Sequence, residues 1–306
     1  MIKWFDRRLT IVSGKGGTGK STIATAMALR AASAGKRTLL CEVNAPQRIN
    51  SAWATGGPFP AEIEQRAPNL WVVNLRPEES MREYVMMKLK FERLYKAFFQ
   101  NRWARYFLKF IPALQELVLL GKILYHVQEE ASSGGFKYER LIVDAPATGH
   151  ALSFLKVPQV ILDTVPPGIL SREAFQMRQL LIDPEITGAV LVALPEEMPV
   201  NETLELYTRL KDEARITTSA VVLNQCISER FSQAELELLQ KRSPQLGAMG
   251  KRHHARSARS QFYQDILQTK IPTPLLSVPY LFRSPFDGDA LETVARCLTE
   301  SSGTIR

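Results

Sequence analysis

The sequence predicts an α/β protein whose mostly parallel, twisted sheet has helices on both faces and whose core carries a helical insertion. Short segments rich in Val, Ile and Leu alternate with helical segments along most of the 306 residues, as in buried parallel strands joined by helical crossovers. From 78 to about 130 the periodicity is helical, without a convincing strand, and this stretch is too long for a simple crossover. We therefore expect a core of residues 1–77 and 136–300, an insertion over 78–135 and a flexible tail, 301–306.

Seven segments have the length and composition of core strands. The first is followed by an Ala-rich helix, Lys20 to Ala34, which Gly35 closes. Ala131 to Gly135 is small and Gly-rich, which predicts a flexible return from the insertion. The predicted strands are Leu9 to Ser13, Thr38 to Val43, Leu70 to Leu75, Arg140 to Asp144, Ala189 to Leu194, Ser219 to Leu223 and Pro274 to Val278.

Composition excludes several classes of protein. The chain is 45% hydrophobic and 23% charged, with 17 Gly and 18 Pro, which is ordinary for a globular protein and unlike a disordered or collagenous one. The N-terminus lacks the apolar stretch of a secretory signal, and no apolar run is long enough to predict a membrane span. Three scattered cysteines fit a reducing cytoplasm and favour neither a disulfide scaffold nor a structural zinc site. The net charge of +8 does not choose among acidic partners.

A glycine-rich loop between the first strand and the first helix predicts phosphate binding. It matches the pattern G-x-x-x-x-G-K-S/T in the strand-to-helix context that this motif requires. Its glycines let backbone N–H groups turn towards a phosphate, Lys20 can reach the β and γ oxygens, and Ser21 can bind Mg²⁺. The nucleotide-binding residues are predicted to be Gly14, Lys15, Gly16, Gly17, Thr18, Gly19, Lys20, Ser21 and Thr22.

Lys15 is a second lysine inside this loop, five residues before Lys20. The stretch Lys15-Gly-Gly-Thr-Gly-Lys-Ser-Thr22 resembles the deviant Walker A motif of the MinD, ParA and ArsA ATPases. That resemblance implies a dimer in which Lys15 reaches the nucleotide of the opposite subunit. A solvated loop lysine is the simpler alternative.

Asp144 ends an apolar run and opens the segment Asp144-Ala-Pro-Ala-Thr-Gly-His150. A carboxylate at this end of a core strand can hold Mg²⁺, and the following residues can form a switch that responds to the γ-phosphate. Asp144 could instead cap the next helix. The segment is similar to switch II of the arsenite-pump and tail-anchored-protein targeting (Get-type) ATPases, which implies a P-loop ATPase core binding ATP or ADP with Mg²⁺.

Three later stretches extend this resemblance over about 80% of the chain. Asn224 stands where the family has an adenine-contacting Asn, a role for which an amide offers both a donor and an acceptor. Taken alone, Asn224 is an ordinary strand-end residue. Pro195 to Thr203 is similar to the family's P-E…E-T segment, and Pro279 lies where the family closes over the base.

The resemblance fails at the first switch. The family has a catalytic Asp there, whereas this chain reads Glu42-Val-Asn44 and places Asn44 at the position of that Asp. An amide cannot accept a proton, and general-base help contributes about 10²- to 10⁴-fold to a rate. We therefore expect slow hydrolysis, or none in a homodimer. Glu42 would share a side of the strand with Asn44 if the strand continued, and could then substitute.

Within the insertion, eight aromatic residues at helical spacing share a segment with seven Lys or Arg and one Glu, so that Met86 to Lys109 carries a net charge of +6. Three interpretations stay open: a face packed inside the subdomain or a dimer interface, a groove for an apolar client helix, or a surface for anionic membrane. The aromatic residues are Phe91, Tyr95, Phe98, Phe99, Trp103, Tyr106, Phe107 and Phe110.

Together with the sequence, the family resemblance implies a cytoplasmic Mg-ATP-dependent dimer that handles a hydrophobic or membrane-directed protein. One alternative is a weakly hydrolysing or non-hydrolysing subunit completed by a paralogue, and a second is a positioning ATPase of the MinD or ParA type. Transient membrane association is open. A second basic cluster, Lys251 to Arg256 with Arg259, is placed on a loop before a helix, and no nucleic acid is expected as a partner because no base-reading module is present.

Overall fold

The computed structural model describes residues 6–44, 59–77, 79–80, 112–284 and 286–298, in which strands and helices alternate. The strands are β1 (Leu9–Gly14), β2 (Thr38–Val43), β3 (Glu64–Ala67), β4 (Leu70–Leu75), β5 (Arg140–Asp144), β6 (Thr187–Ala193), β7 (Thr218–Cys226) and β8 (Leu275–Pro279). The helices are α1 (Lys20–Ser33), α2 (Pro112–Gln128), α3 (Thr148–Thr164), α4 (Ile169–Ile182), α5 (Glu197–Arg209), α6 (Gln233–Arg242), α7 (Pro244–Lys270) and α8 (Gly288–Cys297). A short π-helix, Leu210–Ala214, extends α5.

The strands form one eight-stranded sheet in the order β3-β4-β2-β5-β1-β6-β7-β8. Every neighbouring pair is parallel except β3 with β4, which is antiparallel. The predicted fold class, a mostly parallel α/β sheet, is confirmed. β5 lies between β2 and β1 and is parallel to both. The carboxyl ends of β1, β2 and β5 therefore lie side by side at one edge of the sheet.

The sheet is buried on both faces, and its central strands are mostly apolar. Alternate residues enter two separate hydrophobic clusters: Ile11 and Leu39 belong to one, and Val12 and Leu40 belong to the other. The first cluster includes side chains of α2, α3, α4 and α5, and the second includes those of α1 and α8. This two-sided burial explains why these strands read as continuous rather than alternating apolar runs.

All seven predicted strands are present, and three have the predicted bounds. The others differ by one to three residues at an end, the largest difference being the extension of β7 to Cys226. β3 was not predicted. Its sequence Glu-Gln-Arg-Ala carries no apolar alternation, and it lies at the edge of the sheet, where short charged strands are common.

One helix of the predicted insertion lies within the described residues. α2 packs on the sheet, and Leu117, Leu120, Ile123 and Val127 belong to the same cluster as β1 and β5 residues. The return at Ala131–Gly135 is a closed turn: the Ala131 N–H donates to the Gly135 carbonyl at 2.8 Å, and Glu130 pairs with Phe136 in an antiparallel bridge. The aromatic residues 91–110 and the tail 301–306 lie outside the described residues, so the domain boundaries stay predictions.

The second basic cluster is helical, which corrects its predicted placement on a loop. Lys251, Arg252 and Arg256 lie inside the 27-residue helix α7, because Ser243 and Pro244 start that helix earlier than the sequence suggested. Among the described helices, none is both long and apolar enough to cross a membrane.

Candidate functional site

The predicted phosphate loop connects β1 to α1, and two of its glycines are required by close approach of other backbone or side-chain atoms. Gly14 and Gly19 have φ angles of +155° and +90°. A Cβ atom on Gly14 would collide with the Val192 carbonyl oxygen, and one on Gly19 would collide with the Asn224 amide nitrogen. Gly19 is also the N-cap of α1 and has no side chain to cap it, so the first N–H groups of that helix are left available for an anion.

Lys20 lies over this loop. Its Nζ donates to the Lys15 carbonyl at 3.0 Å, and the same carbonyl accepts a 2.9 Å bond from the Thr18 hydroxyl. Burial lowers the pKa of Lys20, and the nearby Asp144 carboxylate acts in the opposite direction. The ammonium is therefore partly desolvated, which strengthens its attraction to a phosphate placed in the loop.

Ser21 and Asp144 meet as the sequence predicts for a metal site. The Ser21 hydroxyl donates to Asp144 Oδ2 at 2.5 Å, whereas Oδ1 of Asp144 is buried without a hydrogen-bond partner. Burial raises the pKa of Asp144, and the Ser21 hydrogen bond and the charge of Lys20 oppose that rise. A buried carboxylate oxygen without a partner is costly. The pair therefore fits Mg²⁺, which prefers hydroxyl and carboxylate oxygens.

Glu42 lies beside this pair. It is the Cα partner of Asp144 across β2 and β5, and only 4% of its surface is exposed. Burial first, and the Asp144 charge second, raise the pKa of Glu42 to about 7. Two carboxyl groups therefore share the end of the central strands, an arrangement in which one of them tends to keep its proton.

Asn44 stands apart from Glu42. The strand ends at Val43, and Asn44 takes a left-handed conformation with φ +49° while its N–H donates to the Leu75 carbonyl at 2.9 Å. The condition under which Glu42 would share a side with Asn44, a continuing strand, is therefore not met. Asn44 is exposed and Glu42 is buried.

A cavity of about 430 Å³ connects these groups. It extends from the phosphate loop to the switch segment, Asp144–His150, and to the first turns of α2. The contribution of α2 to this cavity was not predicted, because Gln115 and Glu116 lie in the predicted insertion and match no motif. The lining residues are Lys20, Ser21, Val43, Asn44, Pro77, Gln115, Glu116, Leu119, Asp144, Ala145, Pro146, Ala147, His150, Ser153 and Phe154.

The Asn224 side chain is hydrogen-bonded to the backbone of the phosphate loop. Its Nδ2 donates to the Thr18 carbonyl at 2.9 Å, and its Oδ1 accepts the Gln225 N–H at 2.9 Å. The predicted adenine contact is thus a residue that also positions the phosphate loop. Pro279 pairs with Cys226 across β7 and β8, so Pro279 and Asn224 lie at the same end of the sheet.

Lys15 forms an ion pair that the sequence did not reveal. Its Nζ lies 2.7 Å from Glu202 Oε1, and the two side chains are 28% and 32% exposed. Glu202 comes from α5, inside the Pro195 to Thr203 stretch that resembles the family. Spacing along the chain could not predict this contact, since 187 residues separate the partners.

The glycine-rich loop between β1 and α1, with Lys20 above it and Ser21 bonded to a strand-end Asp144, defines the class of P-loop nucleoside triphosphate hydrolases. Comparison with known families is specific within that class. The model of the ArsA family, described as anion-transporting ATPases, matches residues 7–166 and 170–264. The chain belongs to the ArsA family and is an ATP hydrolase by that membership.

Individual relatives agree with this assignment. ATPase BagA of Mycobacterium tuberculosis is 30% identical over 234 residues, covering 75% of this chain and 68% of its own. ATPase GET3B of Arabidopsis thaliana is 21% identical, covering 81% of this chain and 71% of its own. ATPase GET3 of Podospora anserina is 23% identical, covering 72% and 73%.

Proposed function

We propose that this chain is a magnesium-dependent, dimeric ATPase whose nucleotide state controls the handling of a hydrophobic or membrane-directed protein. The observation that carries the nucleotide part is the buried, unpartnered Oδ1 of Asp144, held beside Ser21 and Lys20 at the mouth of the loop. If the protein's own groups satisfied every hydrogen bond at this site, no buried carboxylate oxygen would lack a partner.

Each residue has a role in this proposal. The backbone of Gly14 to Thr22 surrounds the phosphates, and Lys20 exchanges its bond with the Lys15 carbonyl for phosphate oxygens. Ser21 and Asp144 hold Mg²⁺, which when bound neutralises phosphate charge. The switch segment begins at Asp144, so a change at the metal reaches α3 through one continuous stretch of backbone. Asn224 and Pro279 flank the base.

The dimer rests on Lys15. In this chain Lys15 is paired with Glu202, at one third exposure, so a modest free energy holds it. We propose that nucleotide binding and a second subunit together draw Lys15 away from Glu202 and across the interface. The partner is a second copy of this chain or a paralogue.

The client part follows from the resemblance and from the relatives named GET3, and the predicted aromatic segment 91–110 is the proposed contact. α2 begins at Pro112, directly after that segment, and its residues Gln115 and Glu116 line the nucleotide cavity. A helix that joins the two regions gives nucleotide and client a physical route to influence each other.

A specific observation favours a second candidate, a weakly hydrolysing subunit that acts with a paralogue. Asn44 is exposed at the cavity, where the family resemblance places a catalytic carboxylate. An amide there can orient water but cannot take its proton. Nucleotide binding is common to both candidates, and turnover separates them.

Steady-state ATP hydrolysis by the pure protein distinguishes these two candidate functions. Wild type, Lys20→Ala and Asn44→Asp are compared with Mg-ATP. Turnover by the wild type that Lys20→Ala removes supports the ATPase and excludes the non-hydrolysing subunit. Turnover only after Asn44→Asp supports the subunit instead.

Co-sedimentation tests the handling of a client. Liposomes, duplex DNA and a detergent-free peptide with one apolar helix are each mixed with the protein in ATP and in ADP. The proposal expects nucleotide-dependent binding to the peptide and weak binding to both surfaces. Strong ATP-dependent binding to liposomes or DNA, without peptide binding, would indicate a positioning ATPase.

A further inference from the structure

We infer that Glu116 is the carboxylate that accepts the proton of the attacking water during ATP hydrolysis, the task that Asn44 cannot perform. This inference rests on the proposed Mg-ATP site and deepens it by naming a further catalytic residue. No motif pointed to Glu116, because it lies in α2, outside both switch regions of the family resemblance.

Glu116 occupies a helix face that is otherwise apolar. It precedes Leu120, Ile123 and Val127 by four, seven and eleven residues, the spacing of one stripe on a helix. Those three side chains are at most 1% exposed and belong to the core cluster. A carboxylate on a stripe that faces the sheet is therefore aimed inward and not into bulk solvent.

One carboxylate oxygen of Glu116 is left without a partner. Its Oε2 is buried and has no hydrogen bond, and within the described ranges no ion pair to Glu116 is found. Burial of an unpaired carboxylate oxygen is unfavourable. Packing does not explain such a group, whereas a water or substrate held in the cavity would satisfy it.

Glu116 and residues of the phosphate loop line the same cavity. Lys20 and Ser21 at the end of that loop, the switch residues Asp144 to Ala147, and Glu116 of α2 all contribute to its lining. A γ-phosphate held by Lys20 would project into this cavity of about 430 Å³, which has room for a nucleophilic water beside it.

Two other carboxyl groups at this end of the sheet are less suited to the task. Asp144 accepts a hydrogen bond from the Ser21 hydroxyl and is a ligand of the proposed Mg²⁺ site. Glu42 is 4% exposed and is not among the residues that line the cavity. In the described part of the chain, Glu116 is the remaining carboxylate on the cavity wall.

The step balances without a further reactant. The water oxygen forms a bond to the γ-phosphorus as the bond from that phosphorus to the β,γ-bridging oxygen breaks, and the electron pair of the broken bond stays with ADP. One water proton passes to Glu116, leaving hydrogen phosphate. Glu116 then releases that proton to solvent and is again a base.

Glu116→Gln tests the role with nearly unchanged shape. We expect kcat to fall by about 10²-fold or more, the usual effect of losing a general base. KM for ATP and the Mg²⁺-dependent affinity for a fluorescent ATP analogue should stay within about twofold. Glu130→Gln, the same change at an exposed residue just beyond α2, is the control and should match the wild type.

A rescue variant separates loss of a base from loss of structure. Asp at position 44 would line the same cavity, so Asn44→Asp in the Glu116→Gln background should recover at least about tenfold in kcat. An unchanged kcat in Glu116→Gln, a parallel loss of Mg-ATP affinity, or no recovery in the double variant would each overturn the role of Glu116.

The two levels of proposal fail differently. A wild type that binds Mg-ATP but turns over only after Asn44→Asp would overturn the role of Glu116 and leave the nucleotide site intact. Loss of Mg²⁺-dependent affinity for ATP in every variant, including the wild type, would overturn the proposed function itself.

Discussion

Lys15 and Glu202 form an ion pair within one chain, with 2.7 Å between Nζ and Oε1. The second lysine of the phosphate loop therefore already has a carboxylate partner, which a trans role must replace. Both side chains are about one third exposed, and pairs of that kind contribute about 1 kcal/mol or less. The ion pair is therefore weak enough for Lys15 to exchange Glu202 for another partner. It is also strong enough for the effect of its removal to be measured.

Glu202→Gln should strengthen nucleotide-dependent self-association. Removing the competing carboxylate frees Lys15, and up to about 1 kcal/mol corresponds to up to about fivefold in the dimer dissociation constant. Sedimentation equilibrium with a slowly hydrolysed ATP analogue measures it. Glu205→Gln, on the same helix but paired with Arg209, is the control. Weaker association in Glu202→Gln would mean that Glu202 itself supports the interface.

Gly19→Ala should destabilise the protein by at least about 1 kcal/mol even without nucleotide. Its φ of +90° is unfavourable for Ala, and the added Cβ would collide with the Asn224 side chain. Gly16→Ala is the matched control, because a Cβ there meets nothing within 4 Å. Chemical unfolding compares the two. Equal stability of the two variants would contradict the close packing of Gly19 on Asn224.

Asn224→Ala should weaken binding of every nucleotide, not only those with adenine. The Thr18 carbonyl loses its donor and the Gln225 N–H loses its acceptor, each a bond of about 1 kcal/mol in net stability. We expect affinity for ADP and for GDP to fall together by roughly tenfold. Calorimetric titration with both ligands checks this. A loss confined to ADP would assign Asn224 to the base alone.

Glu42→Gln should change how stability depends on pH. Burial raises the pKa of Glu42 from 4.5 to about 7 in the folded chain. Between these values the folded state holds a proton that the unfolded state has lost, so the free energy of unfolding falls as pH rises through this window and the loss is complete above about pH 7.

The variant lacks this titration. Relative to the wild type, Glu42→Gln should gain up to about 3 kcal/mol between pH 4.5 and 7. Urea unfolding at several pH values, with chelator and without nucleotide, measures the difference. Glu237→Gln, at an exposed position, should show no such trend. A pH profile parallel to that of the wild type would mean that Glu42 titrates alike in both states.

Particular elements show what the sequence could and could not predict. The bounds of β2, β4 and β5 follow closely from their apolar runs, because a strand buried on both faces needs an apolar residue at most positions. β3 was not predicted, since a short strand at the edge of the sheet does not need an apolar residue at most positions. Helix α7 was predicted only in part. Its polar, basic sequence made the helix start at Ser243 and Pro244 difficult to recognise.

The residues of the candidate site also fall into those that the sequence could predict and those that it could not. Lys20, Ser21 and Asp144 were predictable because local motifs carry them, and the structure brings them together. Glu116 and Glu202 were not, because each depends on which helix face meets the loop across more than 90 residues of chain. The Asn224 contact with Thr18 was hidden for the same reason, although the residue itself was selected by resemblance.

The Mg²⁺ dependence of ATP affinity tests the central claim most directly. Calorimetry on nucleotide-free wild type, Ser21→Ala and Asp144→Asn, each with Mg²⁺ and with chelator, measures it. We predict that Mg²⁺ strengthens ATP binding to the wild type and that either substitution removes this gain. ATP binding that ignores Mg²⁺ in the wild type, or a full Mg²⁺ effect in both variants, would contradict the account.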